Sequence, residues 1–310
     1  MAFRLFFIRC FALLMAAPPA VWGCDIPVYQ YALENWTPDD YQVFVFSSAE
    51  PAAGAQTALA RIADAGQDQA SNLTLTEVDL GASLKAFESA LWKAQAPKNP
   101  TPPWVVVRNP LSLPPHVSIW SGPLTPDAAA GVLDSPARQA IARQLKSGAL
   151  AVWLLLGCGD AEKDEAALTR LRAALKTAEE ETAKRLGDAR LKDAPAMADC
   201  IVRVDRADGE EAFLVHSLLG TEPDLRAYTE PMVFPVYGRG RVLYALVGAG
   251  INRDTVVDTA LFLAGECSCE VKAGNPGVDL LIGVEWGESD PAAPAAGYCE
   301  VSLPALSTPR

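Results

Sequence analysis

The sequence predicts an α/β protein built from two mixed-sheet units in tandem, followed by a C-terminal tail. Three observations predict it. Short runs of β-branched and aromatic residues alternate with helical patterns. The order strand, helix, strand, helix, strand, strand, helix occurs twice. The two copies also stay in register, Val43 with Val152, Val78-Asp79 with Val204-Asp205, and Pro103 with Pro231. Helices between strands imply a parallel pair, and a closing hairpin adds antiparallel strands, which together make a mixed sheet covered on both faces. A repeat this long denotes duplicated domains, since solenoid periods run to about 20–50 residues.

In the first unit, 41–148, Tyr41–Phe46 reads as a strand, Pro51–Ala65 as an Ala-rich helix, and Leu73–Leu80 as a strand. Ser83–Ala94 follows as a helix with Leu84, Phe87 and Leu91 on one face. Prolines lead into the strand Trp104–Val107, Val117–Trp120 is its hairpin partner, and Thr125-Pro126-Asp127 opens the closing helices. In the second unit, 149–270, Leu150–Leu156 is an unbroken apolar strand and Asp160–Lys184 a long charged helix buried along Leu168, Leu171 and Leu175. Cys200–Val204, Glu210–Leu219, Met232–Tyr237, Val242–Val247 and Asn252–Leu263 complete the repeat. A lead segment, 24–40, is expected to pack on the first unit. The tail, 271–310, holds one strand candidate, Val278–Trp286, before a Pro/Ala-rich end expected to be loose.

Residues 1–23 have the layout of a secretory signal: Arg4, an apolar stretch from Leu5 to Met15 broken by Arg9, then small residues and prolines. The apolar run falls short of the roughly 20 residues that span a bilayer. Val21 and Gly23 suit an ordinary signal peptidase, whereas Val21-Trp22-Gly23-Cys24 approximates the box before a lipid-modified cysteine. The expected product is therefore an exported protein, periplasmic or extracellular, either soluble or anchored to a membrane through a lipid on Cys24. The chain carries 26 Lys plus Arg against 38 Asp plus Glu, a formal charge of −12, and losing Arg4 and Arg9 takes it to −14. Such a balance argues against binding nucleic acid or an anionic lipid surface.

The stretch Pro231-Met-Val-Phe-Pro-Val-Tyr-Gly-Arg-Gly-Arg-Val-Leu-Tyr-Ala-Leu-Val-Gly-Ala is similar to the thioredoxin family's segment from cis-proline through strand, turn and strand to a Val-Gly before the closing helix. The Val-Asp ends of the second strands resemble that family too. The resemblance covers both repeats in outline and implies two thioredoxin-like domains, with Pro103 and Pro231 as candidate cis-prolines. The lead and tail also look similar to segments of uncharacterised exported bacterial proteins, which implies no activity.

Thioredoxin chemistry requires Cys-x-x-Cys at the start of the first helix, where the helix terminus lowers one thiol's pKa and the second thiol resolves the mixed disulfide. The first unit reads Ser47-Ser48-Ala49-Glu50 there, and the second Gly157-Cys158-Gly159-Asp160. Neither has the dithiol, and Asp160 and Glu162 are expected to raise the pKa of Cys158. The preferred reading is a non-catalytic envelope scaffold that binds a protein partner through its domain faces and Pro-rich loops. The alternative is a thiol enzyme or redox sensor using Cys158 alone or with Cys200, which starts the neighbouring strand and would need to lie within about 4.4–6.8 Å between Cα atoms.

Cys24, Cys267, Cys269 and Cys299 are candidates for disulfides that pin lead and tail to the second unit, and six exported cysteines allow 15 pairings. Cys267-Ser268-Cys269 also has the form of a soft-metal clip, but no histidine lies near it, and no metal or cofactor is expected. Gly248-Ala249-Gly250 follows the last strand of its unit and lacks the third glycine of a dinucleotide fingerprint, Arg253 standing there. His116 and His216 read as surface or packed-core residues, the run Glu179-Glu180-Glu181 as a solvated helix face, and Arg239 with Arg241 as the polar decoration of a turn.

Overall fold

The chain's apolar alternation sorts its strands into two separate sheets. The computed structural model describes residues 26–67, 71–111, 114, 117–186, 195–267, 271–287 and 301–302. The first sheet contains β1 (Tyr41–Ser47), β2 (Leu73–Asp79), β3 (Trp104–Arg108) and β4 (Trp120–Pro123), in the order β2-β1-β3-β4. The pair β1/β2 is parallel, while β1/β3 and β3/β4 are antiparallel. The second sheet has the same core order, β6-β5-β7-β8, from β5 (Val152–Leu156), β6 (Ile201–Val204), β7 (Met232–Tyr237) and β8 (Arg241–Val242). Here β5/β6 is parallel and β5/β7 antiparallel. Three two-residue strands extend it: β9 (Leu246–Val247) on β7, β10 (Val278–Asp279) on β8 and β11 (Val301–Ser302) on β6.

Period-two burial explains how β5 organises two cores at once. Trp153 and Leu155 face a cluster built with α1 (Val28–Asn35), α6 (Ala161–Leu186) and α8 (Arg253–Ala264). Val152, Leu154 and Leu156 face the opposite cluster, with α5 (Pro136–Lys146) and α7 (Ala212–Leu218). On the first sheet, Tyr41, Val43 and Val45 face α2 (Ala53–Gln67) and α4 (Pro126–Leu133), whereas Phe44 and Phe46 face Leu91 of α3 (Ala86–Lys93).

Several expectations need correction. The lead segment packs on the second sheet, not the first. Pro27 bridges Glu266, and Val28, Ala32 and Trp36 enter the α6/α8 core, where burying Val28 and Trp36 contributes about 1.5–3 kcal/mol each. Arg239 donates to the backbone carbonyls of Leu33 and Glu34 at the end of α1, at 2.7 and 3.1 Å, so it anchors this helix and is no mere turn decoration. Helix α5, read as closing the first unit, lies against the second sheet.

The strand expected at Val117–Trp120 forms three residues later, because Trp120–Pro123 are the residues opposite β3. Pro123 sits at the end of an edge strand, where a missing N–H leaves no ladder bond unmade. The strand expected over Val242–Val247 is split. Pro235, in the middle of β7, accepts from the Leu243 amide at 2.9 Å but has no N–H to return, and Ala245 N bonds Glu222 Oε1 instead. The strand expected over Val278–Trp286 stops at Asp279, and Leu280, Leu281 and Ile282 are buried between the two units.

That seam is polar as well as apolar. Tyr41 Oη donates to Asp279 O at 3.0 Å, Asn109 Nδ2 to Gly220 O at 3.0 Å, and Asn72 Nδ2 to Leu280 O at 3.2 Å. Asp279, 3 % exposed, accepts from Arg241 Nη1 at 3.0 Å, from the Asp39 amide at 2.7 Å and from Lys272 Nζ. One carboxylate thus joins the lead segment, β8 and the tail.

Candidate functional site

The place where strand β5 runs into helix α6 holds Cys158, the free and half-buried thiol that the sequence singles out. Gly157 N bonds Val204 O at 2.8 Å, which fixes the strand end, and Gly159 has φ +88°, a left-handed conformation suited to glycine. Asp164 reaches back along α6, its Oδ1 accepting from the Cys158 amide at 2.8 Å and its Oδ2 from Gly159 N at 3.3 Å. Asp160 Oδ1 accepts from the amides of Glu162 and Lys163, at 3.1 and 3.2 Å.

This arrangement decides the chemistry of the thiol. A thiolate at a helix start is stabilised by unpaired backbone N–H groups and the positive end of the helix dipole. Here the amides of Cys158, Gly159, Glu162 and Lys163 are engaged by two carboxylates, and the Asp160 amide is left to face the thiol. Burial pushes the Cys158 thiol above its ordinary value, and the carboxylates of Asp164 and Asp160 push it the same way, against the Asp160 backbone amide, which points its N–H at the sulfur and pulls the value down. The acid that matters beside Asp160 is Asp164; Glu162 uses only its backbone amide here. Asp164 was missed in the sequence, although its place four residues after Asp160 is the signal that could have found it.

Cys200 does not join Cys158. It precedes β6, and because β6 runs parallel to β5, with Ile201 opposite Trp153, Cys200 lies beside the beginning of β5 and Cys158 beyond its end. At about 3.3 Å per residue the two are roughly 20 Å apart, far outside disulfide reach. A Cys158/Cys200 exchange pair is therefore corrected: starts and ends of parallel neighbours lie at opposite edges of the sheet.

Pro231 enters β7 directly before Met232, which pairs with Leu156, so it stands across from the Gly157-Cys158 corner. The bond before it is trans; the cis bond among the described residues is Pro102–Pro103. Pro103 and Pro231 hold corresponding places in the two sheets but differ in isomer.

Cys267 is buried in the α1/α6/α8 core, its amide donating to Ile26 O at 3.0 Å. Cys24, Cys269, Cys299 and His116 lie outside the described residues. The His216 ring is within 2.6 Å of the Ala212 carbonyl one turn back on α7. Gly248–Gly250 forms a short 3-10 turn, and Asn252 caps the following helix through the amides of Asp254 and Thr255. Among the described residues no group of three or more His, Cys, Asp or Glu could hold a metal ion, and no helix is long and apolar enough to cross a membrane.

A surface cleft of about 550 Å³ opens at the beginning of β1, lined by Asp40, Gln42, Arg108 and Asn109. Arg108 serves its wall, donating to Gln42 Oε1, Pro114 O and Val117 O and lying over the Phe87 ring. Comparison with known protein families, with curated proteins and with solved structures gives no match.

Proposed function

We propose that this chain is a non-catalytic scaffold of the cell envelope, two thioredoxin-like domains that bind a protein partner through their faces and Pro-rich loops. The observation that carries the reading is the helix start at Cys158, where Asp160 and Asp164 take four backbone amides and, with burial, hold the thiol above its ordinary value although the Asp160 amide faces it. The shared strand order of the two sheets, a parallel pair followed by antiparallel strands, supports the family reading in outline. Fold alone does not assign activity; the chemistry of the site does.

The reading is tested by cross-linking in the native envelope, comparing the wild type with Cys158→Ser. The expected result is one and the same partner captured by both, in reducing and non-reducing conditions. A partner held through a mixed disulfide at Cys158, and lost in Cys158→Ser, would make the chain a monothiol enzyme or redox sensor instead.

A further inference from the structure

Helix α7 is wedged between the two sheets: Phe213 belongs to the core of the first, and Leu214, Val215 and Leu218 to the core of the second. Glu211 begins this helix, and the residue is 0 % exposed. Its Oε1 accepts from the Ala137 amide, in the first turn of α5, at 2.8 Å, while its Oε2 has no hydrogen-bond partner among the described residues.

Arg138, 1 % exposed, stands on the same corner, but four of its five N–H groups donate to other acceptors. Nε donates to Ser135 Oγ at 3.0 Å, Nη1 to Val132 O at 2.7 Å and Leu281 O at 3.2 Å, and Nη2 to Gly131 O. The guanidinium also lies over Phe213, 5.1 Å from the ring centre. It thereby ties α4, α5, α7 and the tail together without donating to the orphaned carboxyl oxygen. A sealed carboxylate with one unsatisfied oxygen is costly, whereas the neutral carboxyl avoids burying the charge.

We propose that Glu211 is a proton-operated latch on the seam: neutral, it keeps the α4–α5 corner docked against α7, and its ionisation as the pH rises loosens that contact. The groups facing it are Ser135, the Ala137 amide and Arg138 from the corner, with Asp208 before α7; Asp134 and, on β1, Tyr41 face Arg138 in turn. Burial, the largest influence, raises the carboxyl above its ordinary value of 4.5, and Asp208 adds to that, against Ser135, the Ala137 amide and Arg138. A folded-state value above the unfolded one gives stability that is complete below the unfolded value and lost as the pH rises through the folded value.

The test is hydrogen exchange of the full chain from pH 4.5 to 8, read as protection factors for α5 and α7, which remove the intrinsic pH dependence. Protection is expected to fall with pH in the wild type, by about tenfold for each unit by which the carboxyl is raised. It should stay flat in the neutral isostere Glu211→Gln and fall as in the wild type in the exposed control Glu210→Gln. A flat wild type, or the same fall in Glu211→Gln, overturns the latch. Should Glu211→Gln fail to fold, the carboxyl ¹³C shift of wild-type Glu211 decides: a midpoint above 4.5 supports the latch, and one at or below it overturns it.

Discussion

Asp164 turns back along its own helix to accept the amide of Cys158 at 2.8 Å, and so places a negative charge beside the thiol. Replacing it by Asn keeps an acceptor and removes the charge. Asp164→Asn is expected to lower the thiol pKa and so to speed alkylation at neutral pH severalfold. The check is the rate of iodoacetamide labelling by mass spectrometry. An unchanged rate would mean that the carboxylate does not restrain the thiol.

The buried pair Asp279–Arg241 joins three segments far apart in sequence. Removing the Asp279 carboxylate leaves Arg241, 8 % exposed, without its closest acid, so Asp279→Ala is expected to cost roughly 3–5 kcal/mol. Asp39 also meets Arg241 and Lys272, but its side chain is 57 % exposed, and Asp39→Ala should cost less than about 1 kcal/mol. Urea unfolding of both variants measures the contrast, and equal losses would remove Asp279 from the centre of the seam.

Docking of α1 depends on a glycine. Gly238 has φ +57°, and a Cβ there would lie 2.7 Å from the Ala32 Cβ. Gly238→Ala is therefore expected to lift α1 from the second sheet at a cost of about 1–3 kcal/mol. Trp36, 6 % exposed, reports the change as a red shift of its fluorescence when the other tryptophans are replaced. No shift would mean that the turn tolerates the contact.

The two-unit plan was legible because its strongest signals are local. The run Val152–Leu156 is apolar throughout since both of its faces are covered, and the Val-Asp ends mark β2 and β6. What escaped was the choice of partner. The apolar faces of α1 and α5 show that these helices are buried but not that the second sheet receives them. Leu280-Leu281-Ile282 has strand-like content, yet it fills the gap between units, where packing and not pairing sets its shape. The separation of Cys200 from Cys158 follows from the parallel direction of β5 and β6, which a strand–helix–strand reading already contains.

The pairing of Pro27 with Glu266, and of Ile26 O with Cys267 N, sets residues 26–27 antiparallel to 266–267. In protein produced from its full sequence in an oxidising compartment, Cys24 is expected to link to Cys267 or Cys269. Peptide mapping before and after reduction identifies the bond. A Cys24 bonded to Cys158 or Cys200 would contradict it.

The claim that the β5–α6 corner is not a redox centre is tested most directly by the labelling rate of wild-type Cys158 from pH 6 to 10. A slow reaction at neutral pH is expected, with a rate still rising beyond the ordinary thiol value of 9.0 and no reversible oxidation. A rate that reaches its plateau near neutral pH, or a Cys158 recovered in a mixed disulfide, would contradict it.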